Sequence, residues 1–310
     1  MQGRIGQVLG GTYRVERVLG EGGMGEVFEA RHVRLPKRFA IKFLHAEALR
    51  KEDIFARFRR EAEIASGIGH PNIVDVLDFN HDEHGIPYIV MEFLAGEDLA
   101  ARIARLGRLG VADAVRIADE VASALGAAHD GGVVHRDLKP QNVFLVRWRE
   151  RDDFVKVVDF GISKVMDAHS FMTHTGMIFG TPSYMSPEQA EGMTSEIDAR
   201  TDVFALGAML YEMLTGRVAF GGTNPAAILR QVCDKEPPPL AALRPDAPPA
   251  LIAAIERALA KRREERFASR SEPRAALAGA VAGIGPAVAA VPPAAAPTDA
   301  TVRTAAPTTF

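Results

Sequence analysis

The segment at residues 133–142, VVHRDLKPQN, constrains this chain more than any other feature. Within six residues, directly after a short β-branched run, it places a carboxylate (Asp137), an ammonium (Lys139) and an amide (Asn142). Such a set can activate a hydroxyl, hold a phosphate and bind a metal ion. A second motif, DFG, begins at Asp159, seventeen residues past Asn142 and again at the end of an apolar stretch. The two motifs predict a site in which both acidic side chains act on one phosphate-bearing substrate.

Composition and charge exclude several classes of protein. The 310 residues are enough for two lobes, each with its own core. The net charge of −3 gives no reason to expect a nucleic-acid partner. Cys233 is the single cysteine, which excludes an internal disulfide framework and fits a reducing cytoplasm. We expect no membrane span, because no run of about 18 apolar residues occurs, and no signal peptide, because the N-terminus lacks its apolar core.

Hydrophobic periodicity predicts a strand-rich first part and a helical second part. The first part has one amphipathic helix at residues 53–68 and five strands, at residues 13–19, 26–31, 38–44, 74–79 and 86–93. After Gly96 we expect helices at residues 111–129 and 202–214, and others that begin at Asn224-Pro225 and at Pro248-Pro249. The helix at 202–214 is apolar on nearly all sides, which indicates burial at the centre of a lobe, and Gly216 fits its end. From Gly279 the Ala- and Pro-rich composition predicts a flexible tail.

Residues 20–27, GEGGMGEV, form a glycine-rich loop between two predicted strands. Glycine lets backbone N–H groups approach phosphate oxygens without a Cβ clash, although a simple hairpin turn would explain the glycines equally well. A dinucleotide-binding fingerprint would need a helix after the glycines, whereas residues 26–30 have the pattern of a strand. No G-x-x-x-x-G-K-[ST] loop occurs, which argues against a P-loop NTPase.

Lys42 ends the apolar pattern FAIK, where a lone lysine would by default face solvent. Glu61 changes this expectation, because it interrupts the apolar stripe of the helix at 53–68, where an unpaired carboxylate would be costly. A Lys42–Glu61 ion pair would satisfy both groups and leave the ammonium able to contact phosphate oxygens.

These motifs resemble those of protein kinases, and the resemblance covers residues 13–278. The glycine-rich loop and the sequence SPEQA at residues 186–190 are most similar to bacterial, eukaryotic-like serine/threonine kinases. The resemblance implies an α+β, bilobal protein-kinase fold, with a small β-rich N-lobe that holds one main helix and a larger, mostly helical C-lobe. The implied divisions are an N-terminal extension at 1–12, the N-lobe at 13–94, the C-lobe at 95–278 and the tail at 279–310.

The resemblance also implies a role for each motif residue. Asp137 would orient the substrate hydroxyl and accept its proton, and Lys139 would stabilise charge on the transferred phosphoryl group. Asn142 and Asp159 would bind Mg²⁺, with Mn²⁺ as an alternative. The predicted catalytic residues are Asp137, Lys139, Lys42, Glu61, Asn142, Asp159 and Thr181, the last of which should face the substrate hydroxyl. His135 and Phe160 would be structural, Glu188 would pair with Arg266, and Asp202 would anchor the backbone of residues 133–142.

ATP is the implied phosphoryl donor. The connector between the lobes (residues 91–94, MEFL) would hydrogen-bond adenine through backbone groups of Glu92 and Leu94, with Met91 at the back of the pocket. The predicted nucleotide-binding residues are Leu19, Gly20, Glu21, Gly22, Gly23, Met24, Gly25, Val27, Ala40, Lys42, Met91, Glu92, Leu94 and Leu145. For each aliphatic residue alone, ordinary core packing is an equally good explanation, so only the set favours a nucleotide pocket.

The implied activity is transfer of the γ-phosphoryl group of ATP to serine and threonine hydroxyls of proteins. Arg136, directly before the catalytic aspartate, implies activation by autophosphorylation, with Thr173 and Thr175 as the predicted phosphosites. A non-catalytic, nucleotide-binding scaffold of the same fold is the alternative. Such scaffolds usually lack the catalytic lysine, the loop aspartate or the metal-binding aspartate, and this chain retains all three as Lys42, Asp137 and Asp159. A small-molecule kinase is a third hypothesis, which the segment that includes Thr181 disfavours.

Other expectations concern location, partners and one insertion. We expect a cytoplasmic protein, or the cytoplasmic portion of a membrane-anchored receptor kinase, and leave open a homodimer that phosphorylates in trans. The polar insertion at residues 147–153, RWRERDD, is interpreted as a solvent-exposed hairpin extension rather than a docking site.

Overall fold

The first part of the chain folds around one antiparallel sheet of six strands. The computed structural model describes residues 2–22, 25–45, 52–160, 182–268 and 272–281. The strands are β1 Val8–Leu9, β2 Tyr13–Gly22, β3 Gly25–His32, β4 Arg38–Leu44, β5 Val76–His81 and β6 Pro87–Glu92. They lie in the order β1-β2-β3-β4-β6-β5, and one helix, α1 Glu52–Ile68, packs against them. The glycine-rich loop therefore joins two paired strands, as predicted.

The two faces of this sheet pack against different parts of the lobe, because successive side chains of a strand point to opposite sides. Phe28, Ile41 and Val90 are buried together on one face and form the core of the lobe. On the other face, Leu44 packs against Phe58 of α1. Helix α1 thus covers part of the face that carries every second residue of β4.

The N-terminal segment belongs to this sheet, whereas the resemblance implies an extension at residues 1–12 and the periodicity predicts five strands. Leu9 of β1 is buried in the core of the sheet. Arg4 places Nη1 2.7 Å from Asp82 Oδ2 and stacks its guanidinium on the Phe43 ring at 4.0 Å. A strand of two residues is too short to show a period, so no sequence signal marked it.

The second part is mostly helical but also contains a small sheet. Its helices are α2 Leu99–Leu106, α3 Val111–Asp130, α4 Pro187–Ala190, α5 Ala199–Thr215, α6 Pro225–Asp234, α7 Leu240–Leu243, α8 Pro249–Ala258 and α9 Glu272–Val281. Three antiparallel strands, β7 Gly96–Asp98, β8 Val143–Trp148 and β9 Arg151–Val157, lie in that order. The expectation of helix directly after Gly96 is wrong, because a three-residue strand precedes α2.

Helix α5 is the centre of the second lobe, as the sequence predicts. Buried positions account for 13 of its 17 residues, so α5 is enclosed by protein on nearly all sides. It ends at Gly216, whose φ of 72° lies in the left-handed region and where an added Cβ would come 1.9 Å from the carbonyl oxygen of Gly107. Among the described residues, no helix is both long and apolar enough to cross a bilayer.

The insertion at 147–153 forms the exposed end of the β8–β9 hairpin, which confirms the interpretation from its polarity. The Trp148 ring lies 4.2 Å from the Phe154 ring, centroid to centroid. Arg151 Nη2 lies 2.5 Å from Glu120 Oε1 on α3, which fixes the hairpin to the body of the lobe.

Candidate active site

The backbone of residues 133–142, hereafter the catalytic loop, is held in place by Asp202 in the first turn of α5. Asp202 Oδ2 accepts a hydrogen bond from His135 N at 2.8 Å, and Oδ1 accepts one from Arg136 N at 2.9 Å. The same carboxylate lies 2.7 Å from His129 Nε2 on α3, within the buried interior. Arg136 has a φ of 64°, a strained conformation that these bonds help to maintain. The predicted anchoring role of Asp202 is confirmed.

The catalytic loop brings its three polar side chains together. Lys139 Nζ donates to Asp137 Oδ2 at 2.9 Å, and Asn142 Nδ2 donates to the backbone oxygen of Asp137 at 2.9 Å. Since Nδ2 of the amide is committed to this bond, its Oδ1 points to the other side and is the atom available to a cation. The loop thus holds a carboxylate, an ammonium and an amide oxygen close to one another, through two hydrogen bonds of 2.9 Å.

Asp159 lies beside this loop, at the end of β9. The backbone N of Val158 donates to the backbone oxygen of Asn142 at 3.0 Å, which brings the two predicted metal ligands next to each other. Lys42 Nζ lies 2.7 Å from Asp159 Oδ1, although the two residues are 117 positions apart. This contact connects the sheet of the first lobe to the DFG motif of the second.

The charge of Asp159 is set by competing influences. Desolvation raises the pKa of its carboxyl, but the Lys42 ammonium lowers it, and the pKa lies below its ordinary value. The side chain is 43% exposed, so we regard the ion pair as the dominant influence. Asp159 is therefore an ionised carboxylate at neutral pH, as a metal ligand must be.

Four predicted nucleotide contacts share one face of the first sheet, which we call the nucleotide face. Val27 pairs with Lys42 across β3 and β4, and Ala40 pairs with Met91 across β4 and β6. Directly opposed residues, and residues two apart on one strand, point to the same side. Leu145 is buried on β8, in the core of the second lobe.

The remaining predicted contacts lie along the glycine-rich loop and the connector. Leu19 is exposed on β2, and Gly20 and Glu21 pair with Val27 and Glu26 of β3. Glu92 is the last residue of β6, and Leu94 follows it outside the strand.

Several predicted residues lie outside the described residues. They are Gly23, Met24, Thr173, Thr175 and Thr181, together with the side chain of Glu61, whose backbone is part of α1. The Lys42–Glu61 ion pair, the phosphosites and the threonine at the substrate hydroxyl therefore stay predictions.

Comparisons with known proteins agree with this geometry. Residues 13–272 match the model of the protein kinase domain. The serine/threonine-protein kinases pkn3 and Pkn1 of Myxococcus xanthus are each 44% identical to the chain, over 278 and 272 residues, and each alignment covers 88% of it. A crystal structure of the Mycobacterium tuberculosis PknI kinase domain matches with a TM-score of 0.68 and 30% identity, covering 90% of this chain and 99% of that one. This chain belongs to the protein kinase domain family.

The kinase domain spans at most about half the length of the curated relatives that it matches. The alignments cover 50% of pkn3 and 38% of Pkn1. The predicted bilobal kinase fold is confirmed, with a β-rich first lobe and a helical second lobe.

A buried ion pair in the kinase domain fixes the segment that precedes α5. Arg266 Nη1 and Nη2 lie 2.9 Å from Glu188 Oε1 and Oε2, in parallel, and Thr201 Oγ1 donates to Glu188 Oε1 at 2.8 Å. Burial raises the pKa of the Glu188 carboxyl, but Arg266 lowers it, and the net value lies below the ordinary one. The predicted Glu188–Arg266 pair is confirmed.

His135 and Phe160 have the structural role that was predicted. Both are buried, and their ring centroids lie 4.7 Å apart. Burial lowers the pKa of His135, so its imidazole is neutral at physiological pH and packs rather than exchanging a proton.

One polar residue of the kinase domain was missed by the sequence reasoning. Lys156 lies in the apolar run FVKVV of β9, is buried, and contacts Glu92 of the connector. The argument applied to Lys42, that a lysine in an apolar strand needs an anionic partner, would have found it.

The glycines of the glycine-rich loop differ in whether an added Cβ would clash with the protein, and this difference can be tested. A Cβ at Gly25 would lie 1.8 Å from the carbonyl oxygen of Phe43, whereas one at Gly20 would meet no protein atom within 4 Å. We expect Gly25→Ala to lower the free energy of unfolding by about 1–3 kcal/mol, since the β3–β4 pair must shift. Gly20→Ala should change it by less than about 0.5 kcal/mol. Chemical denaturation measures both, and equal stabilities would contradict the packing argument.

Proposed function

We propose that this kinase domain transfers the γ-phosphoryl group of ATP to serine and threonine hydroxyls of proteins. One observation carries the proposal: Asn142 contacts the Asp137 backbone through its side chain at 2.9 Å and Val158, the neighbour of Asp159, through its backbone at 3.0 Å. The candidate proton acceptor and the candidate metal ligand therefore belong to one site. The retention of Lys42, Asp137 and Asp159 and the names of the relatives support a catalytic domain over a scaffold.

The donor set fits a magnesium ion. An ionised carboxylate oxygen of Asp159 and the amide oxygen of Asn142 are hard ligands, and Mg²⁺ at nucleotide sites takes one or two protein oxygens together with phosphate oxygens and water. Bound Mg²⁺, or Mn²⁺, would be held by Asp159 and Asn142 and would neutralise charge that develops on the phosphates. Lys42, which contacts Asp159 Oδ1, lies where its ammonium can also meet phosphate oxygens.

The catalytic loop supplies the other groups that phosphoryl transfer requires. We assign to Asp137 the task of orienting the substrate hydroxyl and taking its proton. Lys139, 2.9 Å from Asp137 Oδ2, places a positive charge beside that carboxylate and beside the oxygen atoms of the transferred group. Positioning and charge neutralisation supply most of the catalysis in this class of reaction.

Phosphate incorporation tests this function directly. The purified chain is incubated with radiolabelled ATP, Mg²⁺ and a basic carrier protein, and the phosphorylated amino acids are identified after hydrolysis. We expect phosphoserine and phosphothreonine but no phosphotyrosine, and no incorporation when EDTA is present. Nucleotide binding without any phosphate transfer would favour the scaffold instead.

We further propose that Thr173 and Thr175 are autophosphorylated and that the Arg136 guanidinium forms an ion pair with the resulting phosphothreonine. Arg136 is partly buried, and burial lowers the pKa of its guanidinium. Within the described ranges no acidic side chain forms an ion pair with it. A phosphothreonine would add an ion-pair partner to the more distant charge of Asp202 and order the segment that carries it.

Replacing both threonines by alanine should reduce the activity. We expect the Thr173→Ala/Thr175→Ala variant to turn over about tenfold more slowly, the value of one charge-assisted hydrogen bond. Thr223→Ala, at an exposed site in the second lobe, is the matched control and should behave as wild type. Initial rates and phosphopeptide mapping measure the effect, and wild-type turnover in the double variant would contradict the hypothesis.

A further inference from the structure

Lys156 is a buried cation outside the set of residues already assigned to the reaction. It lies on β9, three positions before Asp159, and is only 6% exposed. Lysine is almost never buried to this degree without a partner. Its Nζ lies 2.5 Å from Glu92 Oε1 in the connector and donates to the backbone oxygen of Ile73 at 3.1 Å.

Glu92 is in turn bonded to the segment before β5. Glu92 Oε1 accepts a hydrogen bond from the backbone N of Asp75 at 2.9 Å, and the backbone N of Glu92 donates to the Asp75 oxygen at 3.0 Å. The side chain and the main chain of Glu92 are thus fixed to the same residue. Lys156 links both of these segments to β9. Its ammonium contacts Glu92 and also the backbone oxygen of Ile73, which lies two positions before Asp75.

These hydrogen bonds lie at the point where β6 ends and the connector leaves the sheet of the first lobe. The last residue pair of β4 and β6 is Phe39 with Glu92, so Leu94 lies beyond the paired strands. A second cation approaches the connector from β4, where the Arg38 guanidinium lies 4.2 Å from the centroid of the Phe93 ring. Arg38 is largely exposed and its interaction is weakened by solvent, whereas the Lys156 contact is buried and screened much less.

We propose that Lys156 is a positioning residue that holds the connector in the conformation that binds adenine, and so determines the affinity for ATP. The inference rests on the proposed function and on the predicted adenine contacts through backbone groups of Glu92 and Leu94. Lys156 and Asp159 share one strand end, so a single ammonium couples the site of the base to the site of the metal. Its loss should affect nucleotide affinity far more than the chemical step.

Steady-state kinetics on Lys156→Met separate this role from a purely structural one. We expect the KM for ATP and the Kd for a fluorescent ADP analogue to rise about tenfold, the effect of losing one charged hydrogen bond at the connector, with kcat within about twofold of wild type. Lys235→Met, at an exposed lysine of the second lobe, is the matched control and should leave both constants unchanged. Thermal melting shows how far each variant is destabilised.

A double-mutant cycle with Glu92→Gln tests whether Lys156 acts through Glu92. If it does, adding Lys156→Met to Glu92→Gln should raise the Kd by no more than about threefold, since the partner charge is already absent. Glu92→Gln also preserves the test should Lys156→Met not fold, because that variant alone should raise the Kd in the same direction. Unchanged KM and Kd in Lys156→Met, multiplicative effects in the cycle, or a fall in kcat as large as the rise in KM would each overturn the proposal.

The ADP titration keeps this inference distinct from the proposed function. A wild-type chain that transfers no phosphate would refute the function, while the change in Kd on substitution of Lys156 would still be measurable. Active protein with a Lys156-independent Kd would refute only the inference.

Discussion

Asp137→Asn should reduce phosphate transfer by about three orders of magnitude, within the range that a positioned general base contributes. An amide cannot accept the proton of the substrate hydroxyl. The amide oxygen can still accept the hydrogen bond that Lys139 Nζ donates to the wild-type carboxylate at 2.9 Å, so the catalytic loop should keep its shape. The loss should therefore appear in kcat, with the Kd for ADP little changed. Single-turnover assays at saturating ATP measure it.

Two further variants make the Asp137 result interpretable. Asp152→Asn carries the same substitution at a side chain that is 83% exposed on the β8–β9 hairpin, and it should retain wild-type turnover. Lys42→Met should also abolish transfer, because it removes the cation 2.7 Å from Asp159. If Asp137→Asn retained turnover within tenfold of wild type, Asp137 would not be the proton acceptor.

Arg266→Met should destabilise the kinase domain by about 3–5 kcal/mol, the cost of leaving a buried charge without its partner. The Arg266 side chain is 0% exposed, and its two bonds to Glu188 are joined by bonds to the backbone oxygens of Arg200, Ala260 and Lys261. Methionine preserves much of the volume but satisfies none of these acceptors. Arg230→Met, at an arginine that is 82% exposed on α6, should change the free energy of unfolding by less than about 0.5 kcal/mol. Urea denaturation measures both.

The pH dependence of the free energy of unfolding should identify the Glu188 carboxylate as the source of the destabilisation in Arg266→Met. In the wild type the pKa of Glu188 is below its ordinary value of 4.5, so the pair contributes fully above that pH and the contribution disappears as the pH falls through the native pKa. Without Arg266, burial becomes the dominant influence on Glu188 and raises its pKa against the weaker effect of the Thr201 hydrogen bond, so the variant should lose stability as the pH rises. The difference between the two proteins should therefore be larger at neutral pH than below pH 4.5. Adding Glu188→Gln to Arg266→Met should recover part of the loss, and a difference that does not vary with pH would contradict this explanation.

Local patterns predicted the elements of this kinase domain well where they were long and periodic. The bounds of β4 agree with the predicted strand at 38–44, and α5 with the predicted apolar helix at 202–214, to within three residues at its start. Among the elements that were missed are two strands, β1 and β7, which have two and three residues. Neither is long enough to show alternation, and each exists because a neighbouring strand offers hydrogen bonds to it.

The sequence by itself determined which chemical groups the site contains, because the catalytic loop and the DFG motif each hold their groups within a few neighbouring residues. It could not determine the partners of those groups across the chain. The contact of the Lys42 ammonium with Asp159, 117 positions away, and that of Lys156 with Glu92, 64 positions away, had no signal in the local sequence. Such contacts depend on strand register, on the packing of α1 and on how the two lobes meet. These are set by the burial of many apolar side chains together, and no local pattern records them.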